Sequence, residues 1–370
     1  MAPVRGERSA SRPVQAESHP QSSRNRPAVP SPELSRDSFP FPVLVADIGG
    51  TNARFALIAD RGADIAGYRT VHTADFPDPI AAIESLGHVD PAPRSAVMAL
   101  AAPVTGDEVA LTNCPWVIRP RAMIDRLGLD DVLLINDFEA QALALPSLKL
   151  DGADLVQIGG GTERPSATKV VVGPGTGLGV ATLVHALGLW IPVPGEGGHV
   201  SLGPEAPDEA PVWAAIERIG GRVTGESILS GSGMLRLARA VAAARGLPCP
   251  YHHPEEVTAG AEAGEAIGLE TLRLFARSLG RIAGDFALSS LARGGVYIAG
   301  GIPQKIERFL TDGTFRAAFE AKAPHTALVS DIPTYLVRHP RAALVGLAAY
   351  AAHPERYGLD LEGRHWRRGG

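Results

Sequence analysis

The sequence predicts an α/β fold, on three observations. Short β-rich apolar runs alternate with stretches of helical periodicity. A glycine turn directly follows an apolar strand in each half of the chain. The length of 370 residues suits two domains, each large enough to bury its own core.

The first element is the hairpin Val43 to Ile58, VLVADIGGTNARFALI. An apolar run stops at Asp47, turns through Ile48-Gly49-Gly50-Thr51-Asn52 and restarts at Arg54. It is either an ordinary tight hairpin or one whose bare amides meet a polyphosphate, with Asp47 holding a hydrated Mg²⁺. Val97 to Ala101 and Val132 to Ile135 read as buried strands. The second runs into Asn136-Asp137-Phe138 and a short helix ending near Pro146. Residues 150–168 read as a connection between domains. Lys169 to Val172 and Gly179 to Val184 are strands flanking a second glycine turn.

Two helices follow. Over Met234 to Ala244, Leu235, Leu237, Ala238, Val241 and Ala242 share a face, with Ser232 placed to cap and Gly246 and Pro248 to stop it. The series Leu272, Phe275, Leu279, Ile282, Phe286 steps by three and four residues, and Gly294-Gly295 ends that helix. Val296 to Ala299 is a strand that Gly300-Gly301 turns into a helix, with Pro303 in its first turn.

Composition excludes several classes. A net charge of −5 argues against a nucleic-acid partner, and no apolar run approaches the length of a membrane span. The two cysteines, Cys114 and Cys249, form neither a disulfide framework nor a zinc spacing, which fits a reducing cytoplasm. His252-His253 has no metal-ligand partner at a suitable spacing and reads as a polar loop. Residues 1–40, rich in Ser, Pro and Arg, are expected to be disordered, without a secretory signal. The basic tail Arg364 to Gly370 is expected to be loose.

The chemistry concentrates in a few loops. Gly173-Pro174-Gly175-Thr176-Gly177-Leu178-Gly179 offers amides and the Thr176 hydroxyl to phosphate oxygens. It is neither a Walker A loop nor a dinucleotide fingerprint. Asp137 lies at the carboxyl end of a buried strand, either as a general base for a substrate hydroxyl or as the cap of the next helix. Pro194-Gly195-Glu196-Gly197-Gly198-His199 holds a carboxylate and an imidazole among glycines, suggesting close approach by a ligand. Glu226, in Thr224-Gly225-Glu226-Ser227, is a further sugar ligand or a first-turn helix acid. Carboxylates, the Asn136 amide and an imidazole suit paired hydroxyls of a sugar.

Together these segments resemble the bacterial glucokinases of the hexokinase/actin-like ATPase superfamily. The matching pieces are ADIGGTNARFAL, INDFEAQALALP, VVGPGTGLGVA, PGEGGHVSLGP, GESILSGSG, GVYIAGGI and FRAAFEAK, in the family's order across residues 41–350. The resemblance implies two ribonuclease-H-like domains flanking a central cleft: residues 41–147 with 339–370 as the small one, 148–338 as the large one. It also implies ATP- and Mg²⁺-dependent phosphorylation of glucose at the 6-hydroxyl, commonly by a homodimer in the cytoplasm. By the same resemblance Asp137 matches the catalytic base, and Asn136, Glu196, His199 and Glu226 match the sugar contacts. Asp47, Gly49, Gly50 and Thr51 match the first phosphate loop, with Asp47 reaching Mg²⁺ through water. Gly175, Thr176 and Gly177 match the second, and Gly300 and Gly301 the adenosine loop. Ala46 departs from the family, which often has glycine there; its methyl group is expected to be tolerated, with crowding of the phosphates as the possible cost. The cysteine-rich zinc motif of the repressor/open-reading-frame/kinase branch is absent. The rival readings are a kinase for another hexose or amino sugar and a sugar-sensing regulator on the same fold.

Overall fold

A computed structural model describes residues 38–87, 91–104, 106–111 and 114–369. The expectation for the N-terminal arm falls almost wholly outside them. Ordered packing starts before residue 41, because Phe39 is buried with its ring 5.8 Å from that of Tyr350.

Two six-stranded sheets organise the chain. The strands are β1 (Val43–Ile48), β2 (Asn52–Ile58), β3 (Ala66–His72), β4 (Ser95–Leu100), β5 (Val109–Ala110), β6 (Val117–Ile118) and β7 (Asp131–Asn136). They continue as β8 (Leu155–Gly159), β9 (Lys169–Pro174), β10 (Leu178–Ala186), β11 (Leu189–Gly195), β12 (Val296–Ile298), β13 (Thr334–Val337) and β14 (His365–Arg367). The first sheet runs β14-β7-β4-β1-β2-β3 and the second β11-β10-β9-β12-β13-β8, while β5 and β6 pair separately.

The two sheets share one plan. In each, an antiparallel meander (β1-β2-β3 or β9-β10-β11) is extended by two parallel strands (β4 and β7, or β12 and β13). An antiparallel edge strand then closes each sheet, β14 beside β7 and β8 beside β13. The sequence halves share little beyond their glycine turns; the pairing pattern carries the duplication. Two expectations are corrected by these edges. Part of the presumed connection at 150–168 is strand β8, and part of the presumed loose tail is β14, where Trp366 is buried. Both short strands gain ladder hydrogen bonds that their composition does not advertise.

The helices Asp137–Ala144 and Ala342–Ala352 pack together between the sheets. Ala140 and Leu143 join Val45 and Val97 of the first sheet, whereas Ala142 and Ala144 join Val171 and Ala181 of the second. Their crossing is close: a Cβ at Gly346 would overlap the carbonyl of Ala140. The long helix Ala266–Ser290 buries Leu272, Phe275, Leu279 and Ile282 of the predicted stripe and leaves Phe286 half-buried at its edge. It ends on Leu291 in the left-handed region (φ 48°), ahead of the expected glycine pair. The helix Gly231–Ala244 starts earlier than expected, with Ser230 rather than Ser232 as its cap and Ser230 Oγ accepting from Gly233 N at 3.0 Å.

Candidate active site

Parallel pairing brings the ends of β1, β4 and β7 together. Asp47 is in register with Ala99, and Ala99 with Ile135, so Asn136 and Asp137 emerge at the carboxyl edge beside Asp47. Asn136, not Asp137, caps the following helix. Its Oδ1 accepts from Phe138 N at 2.9 Å, and Glu139 reciprocates by accepting from Asn136 N at 3.0 Å. Asp137 is therefore the first helical residue, and its Oδ1 also accepts from Phe138 N, at 3.0 Å.

Arg364, from the segment expected to be loose, fixes this capping box from behind. Its guanidinium donates to both carboxylate oxygens of the buried Glu139, at 2.7 and 3.3 Å. A two-point contact of this kind holds orientation as well as charge.

The electrostatics at the sheet edge are unusual. Burial, then the Asp47 carboxylate, raise Asp137 from 3.8 to about 7, against the lowering effect of the Phe138 N–H. Asp47 is also raised by burial, while Arg54 beside it, at 3.1 Å, opposes the rise. Two carboxylates near one another with one paired arginine form a place that favours a cation or a proton. Among the described residues no cluster of three or more potential ligands forms a metal cage. A hydrated Mg²⁺ shared with substrate phosphates fits that donor set, because such an ion needs only one or two protein carboxylates.

The first glycine turn is tied down by Thr73, whose Oγ1 donates to the Gly50 carbonyl at 2.8 Å and whose N–H donates to Thr51 at 3.0 Å. Gly49 N–H turns inward to Asn52 O at 3.0 Å. Gly50 and Thr51 present amides that no described residue accepts from. In the second turn Gly175 N–H is likewise used, donating to Gly177 O at 2.8 Å, and Gly231 N–H donates to Gly175 O at 2.9 Å. The amides of Thr176 and Gly177 stay available, and Thr176 is exposed.

A cavity of about 780 Å³ adjoins this second turn. Gly175, Thr176 and Gly301 line it, with Gly231 and Ser232 at one helix start, Pro254 at another, and Ile302 and Thr258 on its walls. Its size and mixed lining suit a nucleoside. The sequence reading found Gly301 but missed Ser232, Thr258 and Ile302. Only their position on three separate helices makes them neighbours.

Glu196, His199 and Glu226 gather around the start of β10. Glu226 Oε2 accepts from Leu178 N at 2.9 Å, so this carboxylate is both a first-turn acid and a group fixed to the end of the second turn. Gly198 packs its Cα against the Leu178 carbonyl, where a Cβ would overlap. Val200 O accepts from Gly225 N at 2.9 Å, joining the His199 and Glu226 segments. The Glu196 and His199 side chains lie 3.7 Å apart and are 80% and 54% exposed. The glycines of this loop were expected to admit a ligand. Gly197 and Gly198 instead admit protein, since Cβ atoms there would meet Val180 and Leu178.

Comparison with known proteins places this arrangement. A family model described as Glucokinase matches residues 44–354. The chain belongs to the glucokinase family. The relative named Glucokinase from Rhizobium meliloti (strain 1021) is 53% identical over 340 residues, covering 91% of this chain and all of that one. A solved glucokinase from an Antarctic psychrotroph is 33% identical with a TM-score of 0.75, covering 83% of this chain and 98% of that one. A glucokinase from Balamuthia mandrillaris, solved with glucose, shares the fold at 22% identity and a TM-score of 0.68, over 84% and 93% of the two chains.

Ala46 is fully buried in the core of the first sheet with Leu44 and Ile48, which accommodates its methyl group. Gly300 also differs in role from Gly301. With φ at 93° and its Cα against the Pro174 carbonyl, Gly300 forms the tight turn between β12 and the next helix, and Gly301 lines the cavity.

Proposed function

We propose that this chain phosphorylates glucose at the 6-hydroxyl with ATP, and that Asp137 is the general base. One observation carries the base assignment. Asp137 is a half-buried carboxylate at the sheet edge, raised to about 7 by desolvation and the Asp47 carboxylate, with no cationic partner among the described residues. A base poised near neutrality can take a hydroxyl proton as the phosphoryl group leaves ATP.

Asn136, Glu196, His199 and Glu226 hold the sugar hydroxyls. Glu226 is already fixed by Leu178 N, whereas the exposed Glu196 and His199 become buried when the halves of the molecule close on the sugar. Closure moves residues 41–147 and 339–370 against residues 148–338 and excludes water from the transfer. The amides of Gly50, Thr51, Thr176 and Gly177 grip the phosphates, and Gly301 lies against the adenosine. Asp47 would hold a hydrated Mg²⁺, which would supply charge neutralisation at the phosphates. Glucose as acceptor is supported by relatives that carry the name glucokinase along their full length. No helix among the described residues is long and apolar enough to cross a membrane. The enzyme works in the cytoplasm as a homodimer, which light scattering on purified protein checks.

The test is a coupled ADP-release assay over a panel of hexoses and amino sugars with wild type and Asp137→Asn. Wild type turns over glucose fastest. Asp137→Asn loses about 10²–10⁴ in kcat with the glucose KM nearly kept. Near-wild-type turnover by the variant refutes the base assignment. Turnover with another sugar alone refutes glucose, and none with any sugar favours a sensor.

A further inference from the structure

We infer that Phe138 is a positioning residue that sets the separation between the catalytic carboxylate and the second phosphate turn. The inference rests on the reading of Asp137 as the base.

Phe138 touches both halves of the chemistry. Its N–H donates to Asn136 Oδ1 at 2.9 Å and to Asp137 Oδ1 at 3.0 Å, fixing a sugar ligand and the base. Its ring reaches across to the other sheet and lies on Gly173 and Gly179. These two glycines are directly opposite each other on β9 and β10, one pair below the Pro174–Leu178 pair that opens the phosphate turn. A Cβ at Gly173 would stand 2.7 Å from the ring, and one at Gly179 would sit inside it.

A cross-strand pair of glycines weakens a hairpin, since neither residue offers a side chain to pack. Neither glycine has a positive φ among the described residues, so dihedral freedom does not explain them. The aromatic ring does. It fills the flat recess the pair creates and presses the helix Asp137–Ala144 onto the root of the turn that carries Thr176. The sequence offers the run Gly173 to Gly179 as a phosphate turn and matches Gly175, Thr176 and Gly177 to it, leaving Gly173 and Gly179 without a role. Gly173 and Gly179 serve a side chain of this chain, and the phosphate amides belong to Thr176 and Gly177.

The consequence is geometric. Phosphoryl transfer depends on in-line placement of base, hydroxyl and phosphate, and a displacement of about 1 Å can cost on the order of 100-fold in rate. Removing the ring should let the base and the turn drift apart while leaving each ligand's own contacts intact.

The experiment is a mutant cycle on the full chain with Phe138→Ala, Gly179→Ala and the double variant, reading kcat, both KM values and Tm. Phe138→Ala is expected to lower kcat roughly 10- to 100-fold with the glucose and ATP KM values within about 3-fold of wild type. Gly179→Ala should be at least as slow. The double variant should recover about 10-fold or more over Gly179→Ala, because the new methyl enters space the ring has left. If Phe138→Ala does not fold, Phe138→Leu replaces it in the same cycle. A kcat for the Phe138 variant within about 3-fold of wild type, or losses that simply multiply in the double variant, overturns the inference. Asp137→Asn in the same assay separates the two claims. An active Asp137→Asn removes the base reading, whereas an inactive one beside a normal Phe138→Ala removes only the positioning role.

Discussion

The two glycine turns look alike in sequence and differ in what their glycines meet. At Gly49, in the first sheet, a Cβ would find only Asn52 O at an ordinary 3.5 Å. In the second sheet a Cβ at Gly173 or Gly179 would strike Phe138, one at Gly177 the Glu226 carboxylate, and one at Gly175 nothing within 4 Å. In the first turn Gly49 has room for a Cβ at ordinary contact distance. The other alternates between glycines that make room for protein and one that leaves room for a substrate. A glycine thus reports close approach, but only its neighbours say by what.

Substitutions can break this division between protein-facing and ligand-facing glycines. The largest stability effect is expected at Gly300→Ala, which combines a positive φ with overlap on the Pro174 carbonyl. It should destabilise the fold by about 2–4 kcal/mol, read by urea titration. Removing one side of the buried Arg364–Glu139 pair is comparable. Arg364→Ala leaves the Glu139 carboxylate uncompensated and should cost about 3 kcal/mol by the same titration. A stable, active Arg364→Ala would show that the ion pair to Glu139 does not hold the capping box at Asn136.

Gly177→Ala displaces Glu226 from Leu178 N and should raise the glucose KM by about 10-fold with a smaller change for ATP. Gly175→Ala is the contrasting case. With open space at its Cβ it should leave Tm nearly unchanged and raise only the ATP KM, by a few-fold. If Gly175→Ala unfolds the chain or Gly177→Ala spares glucose, the division is wrong.

A further effect concerns pH. The folded pKa of Asp137 lies above its value in an unfolded chain, so the folded state binds the proton more tightly. This group's contribution to stability is fully present below about 3.8 and is lost as pH rises through about 7. Asp137→Asn removes that loss. The variant should therefore melt a few degrees above wild type at pH 8, with the gap closing toward pH 4, as calorimetry can check. Wild-type kcat should fall in the same range, as pH drops below about 7 and the base takes up its proton.

Much of this was legible in the chain itself. The hairpin at Asp47, the strand into Asn136-Asp137 and the stripe from Leu272 to Ile282 are local patterns, and each formed as read. The edge strands β8 and β14 were missed because a short edge strand is stabilised by its neighbour rather than by its own residues. Ser232, Thr258 and Ile302 were missed because the cavity draws on three helices far apart in sequence.

The sequence by itself determined the kinds of chemistry present: which carboxylates exist, where amides are left bare by glycine, and which runs form strands and helices. Those follow from covalent structure and spacing over a few residues. The tertiary structure decided which glycines abut protein and which border open space, which residue caps the helix at Asp137, and how far that carboxylate is raised. These depend on burial and on groups more than a hundred residues away, such as Arg364 against Glu139. Desolvation and close packing are properties of the assembled molecule, and no local stretch of sequence contains them.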